Sequence, residues 1–526
     1  MYTAWRYTPN SKDVGMPANS WIMQRPGHGR RGPFPSGLIP SVRTVETRNS
    51  TRTAGIIALD LYISTNKARI LFIVTSSSYL RPVDPALSRK NINRLAIPAI
   101  VAGIAEPLLS LTDTAIVGNI PEYGLESLAA VGIVGAFLSM LIWILGQTRS
   151  AISAIMAQYY GAGKLQDITS LPAQAITLNV GISILILVVS LPFSREIFQL
   201  LNASGRILEY CISYYGIRVW GFPLTLFVFA VIGIFQGLQN TVWPMLIAIT
   251  GASLNIVLDL ILVYGIDGFI PAMHLEGAAW ASLLSQGVMA VLALWLLMTQ
   301  TGVKLWPRWP LHPELRRLVG MALNLFIRTL SLNAALLFAV REATALGDRY
   351  IGAHTIAVNL WLFAAFFIDG YSAAGKILGG RFLGARDYDS LWMLAHRTVR
   401  YGFWVSLLLM ALGSVFYDPM GRIFSGDPSV LAAFNSVFFI VILGLPINMA
   451  AFIFDGIFKG LGEMRFLRNV LLAATFLVFL PVLYLGKFLE WGLHGIWIAF
   501  TCWMMVRGGA LIWKFRQKFR PLLQKT

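Results

Sequence analysis

The sequence predicts an all-α polytopic membrane protein with twelve transmembrane helices in two pseudo-symmetric six-helix lobes. Three observations support this fold: the composition, a series of long apolar segments and an internal repeat. Of the 526 residues, 56% are hydrophobic and 13% are charged, and the mean hydropathy is +0.66. Soluble proteins carry about 25% charged residues, and their cores cannot hide so much apolar surface. The composition therefore excludes a soluble enzyme, a disordered chain and a disulfide-rich scaffold.

The N-terminal segment 1–88 is predicted to be a disordered or misannotated extension. The first ninety residues hold thirteen Lys and Arg against four Asp and Glu. Their apolar stretch, 70–74, is too short to cross a bilayer. An Arg-rich, acid-poor leader is also typical of an organellar transit peptide, and that alternative would place the protein in an organellar membrane. We assign this segment no function.

From residue 95 onward the chain consists of apolar segments, most of them 20 or more residues long. About 20 helical residues cross the hydrocarbon, and in lipid every backbone N–H needs an internal partner, so each segment is predicted to be a helix. The predicted spans are 95–117, 127–158, 171–191, 207–238, 242–264, 276–298, 318–345, 351–382, 392–416, 430–459, 466–486 and 490–513.

These spans define the predicted organisation of the membrane part. It comprises an N-lobe at 89–300, a cytoplasmic linker at 301–317, a C-lobe at 318–515 and a basic cytoplasmic tail at 516–526. Basic residues gather in every second connection and in the tail, whereas the alternate connections carry few. Because cytoplasmic loops are enriched in Lys and Arg, both termini are expected in the cytoplasm, with the chain in the inner (plasma) membrane.

An internal repeat supports the two lobes. The pattern Gly-Phe-Pro followed by Gly-Ile-Phe-Gln-Gly-Leu at 221–238 recurs as Gly-Leu-Pro and Gly-Ile-Phe-Lys-Gly-Leu at 444–461, an offset of 223 residues. The same offset relates Gly161 to Gly384. Since one repeat contains six predicted spans, both halves share one orientation. Parallel halves of this kind are typical of transporters.

Ionisable residues inside the spans are the candidate functional groups, because a carboxylate at the centre of a membrane helix costs on the order of 3 kcal/mol. Glu106 and Asp113 in the first span are seven residues apart, so they lie on one helix face. Pro98 and Pro107 remove backbone hydrogen bonds from the same span, which is predicted to allow it to bend.

The fifth span adds Asn255 and Asp259, which are four residues apart and share a face. Together with Asp113 they predict a site for a proton or a small cation. Asp369 and Asp455, in the eighth and tenth spans, are possible additional members. The alternative is that these acids pair with arginines in or near the spans, namely Arg149, Arg218 and Arg328.

Other classes of site lack a sequence signal. The six histidines show no metal-ligand spacing, and no phosphate-binding glycine motif occurs in a credible context, so no metal and no cofactor are expected. The pI near 10 is explained by cytoplasmic loops and not by a nucleic-acid partner.

The pattern of the first span, with Asp113, together with Gly-Leu-Glu-Ser-Leu-Ala-Ala-Val at 124–131, resembles the MATE (multidrug and toxic compound extrusion) family, specifically its DinF-like branch. Asp-Gly-Tyr-Ser-Ala-Ala from Asp369 and Phe-Asp-Gly-Ile at 454–457 are similar to patterns in the eighth and tenth helices of that branch. The likeness covers about residues 90–515.

This resemblance implies a two-lobe antiporter that exports organic compounds in exchange for H⁺ or Na⁺. Asp113 matches the acid of the family's first helix, and Pro98 matches its bending proline. Asn255 and Asp259 match the Asn–Asp pair of the fifth helix, and Ser282 falls where a threonine of the sixth helix joins their network.

We therefore expect a secondary active antiporter, and not an enzyme, that exports cationic or amphipathic organic compounds. Asp113 and Asp259 are predicted to share the incoming ion, with H⁺ favoured over Na⁺, while the lobes rock about the bending first helix. Small organic substrates and the lipid bilayer are the expected partners, and the chain is expected to be a monomer. In the eighth helix, Lys376 stands where the family pattern often has an acid.

Two alternatives remain open. A lipid-linked oligosaccharide flippase of the same superfamily would need a basic central cavity, for which Arg149, Arg218 and Arg328 are available. A polytopic membrane enzyme acting on lipids usually carries an Asp-rich or His-rich motif at a membrane face, and the sequence has none.

Overall fold

The computed structural model describes residues 41–46, 55–63, 66–73, 87–120, 124–266, 269–303, 305–307 and 309–523. The chain divides into two units, 1–82 and 83–526. In the first unit, strands β1 (Ser41–Glu46), β2 (Gly55–Ile63) and β3 (Asn66–Ile73) form an antiparallel sheet in that order.

The prediction for residues 1–88 did not include this sheet. The apolar residues of β2 and β3 include several isoleucines, which favour strands, and the two strands are joined by a two-residue connection. The sequence analysis tested this region only for bilayer-spanning length, and so it overlooked the hairpin signal.

The second unit is helical. Its first half contains α1 (Arg89–Gly118), α2 (Gly124–Leu145), α3 (Thr148–Gly161), α4 (Leu171–Ser190), α5 (Ser194–Leu200), α6 (Gly205–Arg218), α7 (Gly221–Gly237), α8 (Val242–Tyr264) and α9 (His274–Gln300). Its second half contains α10 (Pro313–Leu346), α11 (Asp348–Gly384), α12 (Tyr388–Val415), α13 (Tyr417–Phe424), α14 (Pro428–Leu461), α15 (Met464–Ala474), α16 (Leu480–Phe488) and α17 (Leu493–Phe519).

Twelve spans result from these helices. Ten stretches of the described residues are long and apolar enough to cross a membrane, with α2 and α3 counted together, and likewise α15 and α16. Helices α6 and α7, bent by 47°, form the eleventh. Helix α1 is the twelfth, because its 30 residues extend about 45 Å.

The structure confirms the repeat in the central helices of the two lobes. Shifting α5 by 223 residues places it on α13, and the same shift places α4 within α12 and the α6–α7 pair on α14. The two copies differ in their breaks. Helix α14 continues without a break through the region where α6 and α7 are separated by a bend. A π-helical turn at Thr475–Phe479 separates α15 from α16 but has no counterpart in α8.

The apolar core has one shared part and two separate parts. Buried residues at the end of the bundle where α1 begins and α17 ends, here called the terminal end, form one cluster contributed by both lobes. Toward the opposite end, here called the distal end, one cluster contains only C-lobe residues and another only N-lobe residues. The lobes are therefore joined at the terminal end and separate toward the distal end.

Helices α3 and α11 cross at the terminal end in a reciprocal contact. A Cβ atom on Gly161 would lie 1.8 Å from the backbone oxygen of Arg381, and one on Gly384 would lie 1.8 Å from the backbone oxygen of Gln158. The 223-residue offset relates Gly161 to Gly384 and Gln158 to Arg381, so the crossing lies on the pseudo-two-fold axis. Only glycine permits this approach of the two backbones.

Candidate coupling-ion site

The four residues predicted for the coupling site lie on three packed helices of the N-lobe. Helix α1 carries Asp113, α8 carries Asn255 and Asp259, and α9 carries Ser282. Asn255, Asp259 and Ser282 are at most 2% exposed, and Asp113 is half-buried. The structure therefore brings the predicted residues into one region of the N-lobe interior.

These residues form two adjacent pairs. The Nδ2 of Asn255 donates a hydrogen bond to the Oγ of Ser282 over 3.4 Å. The carboxyl groups of Asp113 and Asp259 are neighbours that interact electrostatically. Within the described part of the chain, neither oxygen of Asp259 has a hydrogen-bond donor, and one oxygen of Asp113 and the Oδ1 of Asn255 also lack one.

Two further residues face the carboxyl pair from α6. Arg218 and Tyr214 both lie within electrostatic range of Asp113 and Asp259. The guanidinium of Arg218 is 5.9 Å from the centroid of the Tyr214 ring. Among the residues that the structure describes, Arg218 forms no ion pair within 4.0 Å with either acid.

This arrangement can hold a small cation. Burying an ionised carboxylate without a donor is very costly, and a second carboxylate beside it adds repulsion. A proton or a cation bound between the two groups removes both costs. The nearby charge of Arg218 moderates the repulsion but does not satisfy the oxygens, so they remain available as ligands.

The predicted residues of the first span differ in what the structure shows of them. Helix α1 is continuous through Pro98 and Pro107, and its N-terminus is capped by Ser88, whose side chain accepts a hydrogen bond from the backbone N–H of Asn91. The side chains of Glu106 and Pro107 lie outside the described part of the structure.

Asp455 lies in the C-lobe and is held by basic residues. One of its oxygens is 2.5 Å from the Nη2 of Arg328, and the other is 2.8 Å from the Nζ of Lys459. The Nη2 of Arg507 is 4.0 Å from the same carboxyl group. The alternative predicted for the intramembrane acids, pairing with an arginine, therefore describes Asp455.

Asp369 and Lys376 both lie on α11, two turns apart. Asp369 is exposed and lies within electrostatic range of Lys459, Arg328 and Lys376. The Nζ of Lys376 donates a hydrogen bond of 2.7 Å across the lobe interface to the Oε1 of Gln236 on α7. Neither residue approaches the Asp113–Asp259 pair through a hydrogen bond seen in the described residues.

Sequence reasoning missed Tyr214 entirely and considered Arg218 only as a salt-bridge partner or as part of a basic cavity. Tyr214 gave no signal, because an aromatic residue in an apolar span is ordinary. The position of Arg218, the last residue of α6 beside the bend, could have marked it as part of a polar region.

Comparisons with known proteins give a consistent result. The chain matches the MatE family over residues 98–261 and again over 322–485, once in each lobe. It is 27% identical to DNA damage-inducible protein F of Escherichia coli (strain K12), covering 85% of this chain and 96% of that protein. It is 25% identical to the probable multidrug resistance protein NorM of Thermotoga maritima, covering 80% of this chain and 91% of that protein.

Solved structures share the fold. A crystal structure of a MATE protein in the bent conformation superposes with a TM-score of 0.76 at 23% identity, covering 82% of this chain and 96% of that one. A multidrug resistance MATE family transporter of the MOP superfamily, in an outward-facing conformation, gives a TM-score of 0.74 at 23% identity, covering 83% and 96%.

Proposed function

The chain belongs to the MatE family, and from that premise we propose that it is a proton-coupled antiporter that exports organic compounds. Like the relatives that it matches, the chain is a multi-pass membrane transporter and not an enzyme. The observation that carries the coupling proposal is the Asp113–Asp259 pair, in which three of the four carboxyl oxygens are buried without a donor in the described part of the N-lobe.

The division of the core supports alternating access. The lobes share a core at the terminal end and have separate cores toward the distal end, so a cleft between them opens distally. With both termini in the cytoplasm of a bacterial inner membrane, or on the equivalent side of an organellar membrane, this is an outward-open state. The protein acts as a monomer, because one chain supplies both lobes and the cleft.

Proton binding drives the cycle through differential affinity. An ion shifts a conformational equilibrium only as far as it binds one state better than the other. In the outward-open state a proton enters the Asp113–Asp259 pair, neutralises it and permits α1 to bend at Pro98 and Pro107. The lobes then separate at the terminal end, where organic substrate binds and the proton is released.

A proton suits this site better than Na⁺. Sodium needs several converging oxygen ligands. The hydroxyl of Ser282 already accepts a hydrogen bond from Asn255, which leaves the two carboxyl groups and the Oδ1 of Asn255. One proton shared between two adjacent carboxyl groups removes the repulsion between their charges.

The flippase alternative is not supported, because its three arginines have different partners and do not line one cavity. Arg328 pairs with Asp455 in the C-lobe, while Arg218 lies near the acids of the N-lobe. The guanidinium of Arg149 lies 5.2 Å from the centroid of the Phe229 ring and within electrostatic range of Lys376.

The test is transport into everted membrane vesicles that contain the full chain, with fluorescent organic compounds as probes. We expect an acid lumen alone to drive uptake and a Na⁺ gradient alone to have no effect. Asp113→Asn and Asp259→Asn should abolish the proton-driven uptake while the protein still inserts and purifies normally.

Asp348→Asn is the matched control, because this exposed aspartate at the start of α11 has the same chemistry and lies outside the site. It should transport as the parent does. Full proton-driven uptake by Asp113→Asn would refute the proposal, as would uptake driven equally by Na⁺.

A further inference from the structure

The interior of the C-lobe contains more positive than negative charge. Four basic side chains converge from α10, α11, α14 and α17, namely Arg328, Lys376, Lys459 and Arg507. Asp369 and Asp455 are the acids within electrostatic range of them. Arg328, Lys376 and Arg507 are at most 6% exposed. We call these six residues the C-lobe charge cluster.

Asp455 cannot satisfy all of its basic neighbours. Its carboxylate has close contacts with Arg328 and Lys459, and Arg507 reaches it only at 4.0 Å. The Nη2 of Arg507, which is 2% exposed overall, has no hydrogen-bond partner among the described residues. The guanidinium is otherwise held by the Trp503 ring, 4.6 Å from its centroid, and by the sulfur of Met504.

A buried guanidinium with an unused N–H group is costly, and the cost falls when an anion accepts that hydrogen bond. The C-lobe charge cluster carries two more bases than acids, and even with Lys376 uncharged one positive charge remains in excess. Membrane interiors tolerate such groups where they line a substrate path. The missing partner is therefore an anion that is not part of this lobe.

The cluster is specific to the C-lobe. At the 223-residue offset, the N-lobe counterparts of Arg328 and Asp455 are Ala105 and Ile232. Helices α9 and α17 share a Leu-x-Gly pattern at an offset of 218, which matches Arg507 to Met289. The C-lobe counterparts of Asp113 and Asp259 are equally apolar, namely Leu336 and Val482. Each lobe therefore carries one polar centre of its own, acidic in the N-lobe and basic in the C-lobe.

The position of the cluster fits a site that changes its access. Asp369 is already exposed, whereas Lys376 is buried against Gln236 of the opposite lobe. When the lobes separate at the terminal end, that hydrogen bond breaks and Lys376 faces the opening. An anion can then reach the cluster from the side on which the proposed export cycle loads its substrate.

We propose that the C-lobe charge cluster binds the carboxylate of an organic anion, so that the exported compounds include amphipathic anions. This inference rests on the proposed function and replaces the expected preference for cations. Arg507 donates the unused hydrogen bond, and Lys376 adds charge once it is released from Gln236.

The test is equilibrium binding to the full chain in lipid nanodiscs, measured by fluorescence anisotropy. Dansylglycine is the anionic probe, its methyl ester is the neutral match, and ethidium is the cation. We expect the acid to bind at least tenfold more tightly than the ester. Because a hydrogen bond to a charged group contributes about 1.5–3 kcal/mol, Arg507→Gln should weaken binding of the acid roughly ten- to a hundredfold and leave the ester unchanged.

Arg507→Lys keeps the charge and should retain most of the affinity. Lys164→Gln removes an exposed lysine in the connection that follows α3 and should have no effect. If Arg507→Gln does not fold, Lys376→Gln is measured instead. It should likewise weaken binding of the acid and leave binding of the ester unchanged. Equal binding of acid and ester, or binding of ethidium alone, would overturn the inference.

Failure of this inference is distinguishable from failure of the proposed function. Intact proton-driven uptake with no preference for the acid would refute the anion site alone. Loss of proton-driven uptake of every probe would refute the antiporter, whereas the binding result would still report on the cluster.

Discussion

Substituting alanine for Gly384 should release the contact that holds the lobes together at the terminal end. A Cβ atom at this position would lie 1.8 Å from the backbone oxygen of Gln158, which is roughly 1.5 Å or more short of a van der Waals contact. The obstacle is helix backbone, so α3 and α11 must move apart. Overpacking of this kind costs typically about 1–3 kcal/mol, and it acts only on the state in which the helices cross.

The expected result is a shift of the conformational equilibrium by about 5- to 150-fold toward the state open at the terminal end. The assay is labelling of Ser153→Cys by a membrane-impermeant maleimide, in a background with Cys211→Ser and Cys502→Ser. Ser153 is fully buried on α3, near the crossing, so it should react only when the lobes separate. Gly384→Ala should accelerate its labelling.

Gly181→Ala is the control, because a Cβ atom there meets no heavy atom within 4 Å. It should leave the labelling rate unchanged. Equal rates in parent, Gly181→Ala and Gly384→Ala, with all three proteins folded by their melting temperatures, would show that the crossing does not hold the lobes together.

Two further predictions concern stability. Asp455→Asn should lower the free energy of unfolding by about 3–5 kcal/mol, because it leaves Arg328 and Lys459 without their buried counter-charge. Thermal unfolding in detergent measures this change, and an unchanged melting temperature would contradict the buried pairing. Asp427 caps α14 by accepting a hydrogen bond from the backbone N–H of Ser429, and bonds from Ser429 hold the pKa of this carboxyl below its usual range. The stabilising contribution of Asp427 is therefore present above the usual carboxyl pKa and is lost as the pH falls through the lowered value. The melting temperatures of the parent and Asp427→Ala should differ at pH 7 and converge in acid. A difference that persists in acid would contradict the cap.

Much of the fold could be predicted because the bilayer imposes long helices and the repeat imposes their pairing. The 223-residue offset, found from a few glycines and prolines, holds for α5 and α13, which are too short to be recognised as spans. The breaks could not be predicted in this way. The π-helical turn at Thr475–Phe479 and the bend after Arg218 depend on packing, which a hydrophobic pattern does not contain.

The candidate site was predictable where neighbours in sequence are neighbours on a helix face. Asn255 and Asp259 follow from their four-residue spacing, and Asp113 follows from being an acid inside an apolar span. The resemblance to a known family added Ser282. The partners of an acid across helices were not predictable. Asp455 has a lysine four residues later in sequence, Lys459, whereas its contact with Arg328, 127 residues away, is seen only in the structure.

The reciprocal crossing of α3 and α11 is the contact that two identical six-helix subunits would make about a two-fold axis. In such a dimer every substitution would appear twice, so an acid suited to one side would be imposed on the other. Joining the copies in one chain removes that constraint. At equivalent positions of the two copies, Gln158 in the first half corresponds to Arg381 in the second, and Ser153 corresponds to Lys376. The covalent link therefore permits two unlike halves to share one closing contact, and each half can diverge without disturbing the fit of the other.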